Sequence, residues 1–223
     1  NIQLYDFDHQ YKGLMTMRQA LVESRNVPAI RALAAVGITK AQNFISQMGF
    51  NYDKTLEYQN GIGLPSSTLQ NAAAYAAFAN GGTYYQPQYI KEIVTGDGER
   101  KEFSSSGKQV MQSSTAYMIT DMLKGVITSP EGTGTRANIS GLYQAGKTGT
   151  NAYPSDISAK FPDNATMDSW FNGYTKHYSV SVWVGYDHQY EAGNYLDNNS
   201  VALASLFYKN IMTYMSQGKT NTD

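Results

Sequence analysis

The feature that most constrains the fold is a change of sequence pattern about one third of the way along the chain. In the first third, Thr16 is followed by Gln19 and Ser67 by Gln70, each pair ahead of apolar residues. This spacing is typical of helix starts, because each side chain can bond a free backbone N–H of the first turn. Further along, aromatic and β-branched residues cluster as they do in strands. We therefore expect helices first and strands later.

Four helices are predicted in the first third. Caps, apolar spacing and closing glycines place them over 17–24, from Pro28 to Gly37, from a Thr39–Gln42 capping box to Gly49, and over 68–79 before Gly81-Gly82. Ser24-Arg25-Asn26 is then a tight link between the first two helices.

The rest of the chain predicts two more helices and several strands. We first expect a hairpin of 89–94 and 101–103 around Gly96-Asp97-Gly98, followed by a helix over 114–127. A loop over 128–142 then leads into a strand over 143–150, and a second loop covers 151–168. The chain continues with an antiparallel pair of strands, 170–175 and 178–186, and a helix capped by Ser200. The antiparallel pair is expected beside the 143–150 strand, and the tail from Gln217 is polar.

Composition argues against several classes of function. The 17 basic and 18 acidic residues form no long run of one sign, so nucleic acid is not expected as a partner. The chain has no cysteine and its three histidines lack zinc-ligand spacing, so we expect no metal site and no cofactor. No stretch reaches the roughly 20 apolar residues that a membrane-spanning helix requires.

Two short motifs point to a chemical function when they are taken together. Lys147-Thr148-Gly149-Thr150 ends a strand-like run, where a glycine lets a ligand approach the backbone and a strand edge can bind an extended substrate. Ser24-x-Asn26 lies in the predicted link between helices. Alone, the first could be a solvated lysine at a turn and the second an ordinary pair of capping residues. In this order, they match two of the three elements found in β-lactamases and penicillin-binding proteins, and the remaining element is Ser-x-x-Lys.

The segments around both motifs carry a family resemblance. Met17 to Ile30 and Gln144 to Thr150 resemble the second and third motif regions of the transpeptidase domain of bacterial class A, bifunctional penicillin-binding proteins, including those of Gram-positive cocci. Supporting stretches lie at 74–82, 132–135, 168–174 and 182–186, and the likeness covers roughly residues 10 to 215. Within them, we interpret four aromatics as strand packing rather than ligand contacts: Trp170, Phe171, Tyr174 and Trp183.

The resemblance implies an α/β fold of the α+β kind, the penicillin-binding transpeptidase or serine β-lactamase-like fold. In it, a central antiparallel sheet is flanked by helices beside an all-helical lobe, with the active site at their junction. We expect residues 1–216 to form the C-terminal part of this domain, with three of its five strands, and 217–223 to be a polar tail. The N-terminal part of the domain is then missing from the chain, and we do not expect the chain to fold alone.

The resemblance also implies acyl transfer from D-Ala-D-Ala stem peptides, with β-lactams acylating the same nucleophile. Ser24 would relay a proton, Asn26 would bind the substrate amide, and Lys147 would add positive potential and support Ser24. Thr148 and Thr150 would bind the substrate carboxylate, the Thr150 N–H would form half of the oxyanion hole, and Gly149 would allow close approach. Arg25 is expected to face solvent.

The nucleophile of the family is a Ser-x-x-Lys serine that we expect upstream of this chain. Ser105-Ser-Gly-Lys108 matches that pattern, but it follows the Ser-x-Asn motif in a polar stretch, and we interpret it as a chance match. The expected partners are peptidoglycan stem peptides, the lipid-linked precursor, β-lactams, and an N-terminal fragment of the same polypeptide that carries Ser-x-x-Lys.

The expected location is the extracytoplasmic face of the cell membrane, with the anchor and a glycosyltransferase domain upstream. Two alternatives remain open from the sequence. One is a D,D-carboxypeptidase or β-lactamase of the same fold, which would release bound penicillin rapidly. The other is a non-catalytic β-lactam-sensing or wall-binding module, which would be acylated but would not transfer the acyl group.

Overall fold

The computed structural model describes residues 5–221. Its α-helices are α1 (Met17–Val22), α2 (Asn26–Val36), α3 (Ile38–Gln47), α4 (Thr68–Ala79), α5 (Ser113–Thr128) and α6 (Leu203–Met215). Its strands are β1 (Thr83–Tyr84), β2 (Glu92–Val94), β3 (Arg100–Glu102), β4 (Lys108–Gln109), β5 (Ala145–Ala152), β6 (Thr166–Tyr174) and β7 (Ser179–Gly185). No helix in this range is both long and apolar enough to cross a membrane.

A three-stranded antiparallel sheet in the order β5-β6-β7 forms the centre of the fold. Lys147 of β5 lies opposite Asn172 of β6, and Trp170 of β6 lies opposite Trp183 of β7. The predicted pairing of the last two strands, beside the strand that contains Lys147, is confirmed. Within residues 5–221, β5 pairs only with β6, so its other edge has unpaired backbone groups.

The start of β6 differs from the prediction of a loop up to residue 168. The strand begins at Thr166, which pairs with Ala152 of β5 and forms a bridge with Leu196. An irregularity between Asn151 and Ala152 shifts the register there. Pairing from two sides thus keeps a polar segment extended where its composition predicts a loop.

Helices cover both faces of this sheet. On one face, Phe171 of β6 and Tyr208 of α6 are fully buried, and their ring centroids lie 4.6 Å apart. On the other face, the Tyr174 hydroxyl lies 2.8 Å from that of Thr120 in α5. The Tyr174 ring also lies 6.2 Å from that of Tyr75 in α4. The sheet is therefore enclosed between α6 and the α4–α5 pair, and the expected antiparallel sheet flanked by helices is confirmed.

The aromatic residues of the sheet pack within the protein, as predicted. Trp170 and Trp183 form a tilted pair with centroids 6.4 Å apart. Beside them, burial raises the pKa of the Asp168 carboxyl, and hydrogen bonds from Asn151 and both indoles oppose that rise. A second core joins the end of α3 to α4 and α5, and consists of Met48, Ala74, Ala77, Met111 and Ala116.

Two predicted helix caps are confirmed and two are wrong. Thr16 and Gln19 form the predicted capping box of α1. Ser67 and Gln70 form the predicted capping box of α4. Thr39 does not cap α3, because the helix already begins at the residue after Gly37, whose φ of 90° turns the chain directly out of α2. The Gln42 side chain instead donates to the carbonyl oxygen of Lys54 at 2.9 Å.

The cap predicted at Ser200 comes from another residue. Asp197 Oδ1 accepts hydrogen bonds from the backbone N–H groups of Asn199 at 3.1 Å and Ser200 at 2.7 Å. A 3₁₀ turn follows, and α6 begins at Leu203. A carboxylate accepts these bonds more strongly than a hydroxyl does, so the aspartate takes the capping role.

The β2–β3 hairpin is confirmed, with Val94 opposite Arg100. The short β1–β4 pair was not predicted, and it contains Lys108 of the Ser105–Lys108 match to Ser-x-x-Lys. Ser105 therefore precedes a two-residue strand rather than a helix, which supports our interpretation of that match as chance.

Gly173 generates a prediction about packing between the sheet and α6. A β-carbon at this position would lie 2.6 Å from the Tyr208 ring and 2.8 Å from Phe171, both fully buried. Gly173→Ala should therefore destabilise the full-length protein by about 1–3 kcal/mol through overpacking, measured by denaturant unfolding of this domain. Gly63→Ala is the matched control, because nothing lies within 4 Å of its added methyl group. Equal unfolding midpoints for both variants would contradict this packing.

Candidate active site

The structure brings Ser24 and Lys147 together across 123 residues of sequence. The Lys147 ammonium group donates a hydrogen bond to Ser24 Oγ at 2.7 Å. Ser24 lies in the link between α1 and α2, and Lys147 is the third residue of β5. The two motifs singled out from the sequence therefore form one site, where a helix link meets the unpaired edge of the sheet.

The backbone of Ser24 has an unusual conformation that directs its side chain. Its φ is +55°, in the left-handed region that residues with a β-carbon rarely adopt. Beside it, the Arg25 N–H donates to the carbonyl oxygen of Ala20 at 2.8 Å, across the end of α1. The link is therefore a closed turn and not a flexible connection.

Lys147 lies in a largely desolvated position. Burial lowers its pKa to about 8, because a buried ammonium loses much of its hydration. Its Nζ also donates to the Thr148 carbonyl oxygen at 3.0 Å and approaches Thr148 Oγ at 3.4 Å. A cation in this setting produces a strong local electric field. Because its pKa is about 8, a fraction of the molecules carries a neutral Lys147 just above neutral pH.

The hydroxyl of Thr148 is paired with a residue that sequence reasoning did not select. Thr148 Oγ lies 2.7 Å from Thr133 Oγ, and Thr133 is exposed to solvent. Thr133 belongs to the stretch Gly132 to Thr135, which resembles the family, but the sequence predicts no role for this threonine. The site therefore contains a continuous polar row, which consists of Ser24, Lys147, Thr148 and Thr133.

Gly149 and Thr150 continue β5 beyond this row. A β-carbon on Gly149 would lie 3.2 Å from Cβ of Trp170, so the tight approach visible in the structure is to the neighbouring strand. Thr150 is exposed at the unpaired edge. An extended peptide could pair with the backbone of β5 at this edge.

Asn26 is the first residue of α2, and its backbone N–H donates to the carboxylate of Asp6. It is half-buried and lies two positions from Ser24. The prediction that Arg25 faces solvent is wrong, because only 3% of this residue is exposed. The reason is that the carboxylates of Asp6 and Asp8 surround its guanidinium group and compensate for the lost hydration.

Residues 2–213 match the family model described as the penicillin binding protein transpeptidase domain. The chain belongs to this family. Penicillin-binding protein 1A from Streptococcus pneumoniae is 40% identical over 235 aligned residues, which cover 100% of this chain and 32% of that protein. Penicillin-binding protein 1A/1B from Bacillus subtilis is 39% identical, over 81% of this chain and 20% of that protein.

The chain thus spans about a third or less of the length of these curated relatives, and the expected likeness to the proteins of Gram-positive cocci is confirmed. Solved penicillin-binding proteins share the fold at low identity. PonA1 from Mycobacterium tuberculosis has a TM-score of 0.82 at 22% identity, over 99% of this chain and 61% of that one. Penicillin-binding protein 1A from Haemophilus influenzae has a TM-score of 0.77 at 19% identity, and the match covers 100% of this chain and 37% of that one. The predicted transpeptidase fold is therefore confirmed.

The buried charge of Lys147 generates a prediction about stability. Its pKa is about 8 in the folded protein and about 10.5 when unfolded, so the unfolded state binds more protons between these values. The contribution of this lysine to stability should therefore rise as the pH rises from about 8 to 10.5. Lys147→Met should raise the melting temperature of the full-length protein at pH 7 by about 2–5 °C, and by less at pH 10.

Lys40→Met provides the control for this measurement, since Lys40 is an exposed lysine on α3. It should change the melting temperature little at either pH. A melting temperature of Lys147→Met that is equal to or lower than the wild type at pH 7 would show that the buried charge is not costly.

Proposed function

We propose that this chain forms the substrate-binding and proton-relay part of a peptidoglycan D,D-transpeptidase that β-lactams inhibit. The observation that carries the proposal is the 2.7 Å hydrogen bond from Lys147 to Ser24 at the open edge of β5. A penicillin complex of PonA1, at 23% identity, has the same fold with a TM-score of 0.77. The geometry supplies a hydroxyl, a cation and an unpaired strand edge in one place.

The proposed reaction is acyl transfer in two steps. A serine Oγ attacks the carbonyl carbon of the penultimate D-alanine of a stem peptide, the amide C–N bond breaks, and terminal D-alanine leaves with the serine proton on its nitrogen. An amine of a neighbouring stem peptide then attacks the ester carbonyl carbon, the ester C–O bond to serine breaks, and the amine proton returns to the serine oxygen. Each step requires a proton carrier between the nucleophile and a nitrogen.

Ser24 is suited to carry that proton. Its hydroxyl can accept a proton from the nucleophile side and donate its own to the leaving nitrogen. The hydrogen bond from Lys147 orients the Ser24 oxygen and stabilises negative charge that develops on it. Lys147 in its charged form also attracts the terminal carboxylate of the stem peptide.

The other selected residues bind the substrate in this proposal. Thr148 and Thr150 offer hydroxyls to the carboxylate, and the Thr150 N–H forms half of the oxyanion hole. Asn26 binds the substrate amide from the start of α2. Gly149 keeps β5 free of a side chain at the position where substrate approaches.

In the proposal, the nucleophile belongs to a Ser-x-x-Lys motif elsewhere in the same polypeptide. Residues 1–216 are then the C-terminal part of the transpeptidase domain, and 217–223 are a polar tail. The lipid-linked precursor would be the substrate of a glycosyltransferase domain in the same protein. A membrane anchor outside this chain would hold the domain at the extracytoplasmic face, and without the other part this chain would be inactive.

Labelling with a fluorescent penicillin tests the proposal. In the full-length protein, intact-mass and peptide analysis should find one covalent adduct on a Ser-x-x-Lys serine outside residues 1–223. Ser24→Ala should lower the acylation rate on the order of 100-fold, because it removes the proton relay. Ser105→Ala is the matched control and should leave the rate unchanged.

Three results would contradict the proposal. An adduct on Ser105 would show that the nucleophile lies in the Ser105–Lys108 match to Ser-x-x-Lys. Rapid loss of the adduct would indicate a β-lactamase or carboxypeptidase. A stable adduct without transfer from a thioester or peptide donor to an amine would indicate a sensing or wall-binding module.

The pKa of Lys147 generates a prediction about pH dependence. If the charged form is required, the acylation rate should fall as the pH rises above about 8, where this lysine loses its proton. Lys147→Arg should remove this decline, because arginine stays charged throughout that range. The measurement is the second-order acylation rate constant between pH 6 and 10. An identical decline in both proteins would assign it to another group.

A further inference from the structure

Arg25, between the two residues of the Ser-x-Asn motif, is the centre of a buried ionic cluster. Its side chain is 1% exposed, and its terminal nitrogens lie 3.1 Å from Asp6 Oδ2 and 2.7 Å from Asp8 Oδ2. It also donates to the carbonyl oxygen of Gln10 at 2.6 Å. The guanidinium group of Arg25 thus connects residues 6–10 to the middle of the Ser-x-Asn motif.

Asp6 has a second role in the same cluster. Its other carboxylate oxygen accepts hydrogen bonds from the backbone N–H of Asn26 and, at 3.2 Å, from that of Val27. These are the first two residues of α2, whose own N-cap residue, Arg25, makes no side-chain capping bond. Asp6 therefore caps α2 although it lies 20 residues earlier in the chain. Its negative charge also interacts favourably with the dipole at the N-terminus of this helix.

The cluster fixes the chain on one side of Ser24, and α1 fixes it on the other. Ahead of Ser24, the Glu23 N–H bonds the Gln19 carbonyl oxygen at 2.9 Å within the last turn of α1. After it, Arg25 is held by its ion pairs. A non-glycine residue stays at a φ of +55° only where its surroundings impose that conformation. The residues on both sides of Ser24 meet this condition.

Stability alone does not explain a buried arginine at this position. The loss of hydration on burying such a pair offsets much of its attraction, and apolar replacements are often equally stable. A buried pair can instead specify one local geometry among several. The geometry specified here is the one that directs Ser24 Oγ to Lys147 at 2.7 Å.

We propose that Arg25 and Asp6 are positioning residues for proton transfer, which hold Ser24 in the left-handed conformation that places its hydroxyl on Lys147. The inference rests on the proposed function, because it concerns the efficiency of the relay through Ser24. Neither residue touches the substrate in this account. Without the guanidinium group, Asp6 and Asp8 would repel each other, and Ser24 could relax to an ordinary conformation and lose its contact with Lys147.

A double-mutant cycle in the full-length protein tests this inference. The four proteins are the wild type, Arg25→Met, Ser24→Ala and the double variant. The quantity measured is the second-order rate constant for acylation by a fluorescent penicillin, per folded molecule. In the wild-type background, Arg25→Met should lower this rate constant by about 10-fold or more. In the Ser24→Ala background, the same change should lower it by less than about 2-fold.

Arg100→Met is the matched control. Arg100 forms an exposed ion pair with Glu92 in the β2–β3 hairpin, so the same chemical change there should leave the rate unchanged. Thermal unfolding gives the folded fraction of each variant. If Arg25→Met does not fold, Arg25→Lys replaces it in the cycle, because lysine keeps the charge but cannot span both carboxylates with a planar fork.

The outcomes separate this inference from the proposed function. A wild-type protein that penicillin does not acylate overturns the proposed function, and the inference with it. With an acylated wild type, equal fold losses in both Ser24 backgrounds overturn the inference, because Arg25 would then act independently of Ser24. An unchanged rate in the Arg25 variant overturns it as well.

Discussion

The contact between the Lys147 ammonium and the Ser24 hydroxyl depends on packing that runs through α5. Val22, at the end of α1, lies so close to α5 that a β-carbon on Gly125 would be 2.8 Å from its Cγ2. On its other side, α5 packs against Ala145 of β5 through buried residues that include Leu123 and Val126. The helix thus sets the distance between the link that carries Ser24 and the strand that carries Lys147. A change of one methyl group at these contacts would alter the geometry of the site.

The site contains two features that ordinary packing would avoid. Lys147 is a partly buried cation whose pKa is lowered to about 8, and Ser24 has a left-handed backbone conformation. Each costs stability locally and persists because the surrounding structure compensates for it. The buried cluster around Arg25 compensates on one side, and the antiparallel pairing of β5 with β6 does so on the other. Such local costs are typical of positions where a protein performs chemistry.

Local patterns in the sequence predicted most elements of the fold and both motifs of the site. The capping box at Ser67 and the strand that contains Lys147 were predictable, because their signals lie within a few neighbouring residues. The burial of Arg25 was not, since arginine is usually exposed and its partner Asp6 is distant in sequence. The start of α3 was missed because the conformation of Gly37 replaced a side-chain cap. The features that could not be predicted depend on tertiary contacts and backbone conformation rather than on the preferences of neighbouring residues in the sequence.

The most direct test of this account is a crystal structure of the full-length protein acylated by penicillin. If the proposed mechanism is correct, the adduct lies on a serine near Ser24 Oγ, the Lys147–Ser24 hydrogen bond is kept, and the drug carboxylate contacts Thr148 and Thr150. An adduct remote from this site, or a structure in which Ser24 and Lys147 are separated by more than hydrogen-bond distance, would contradict it.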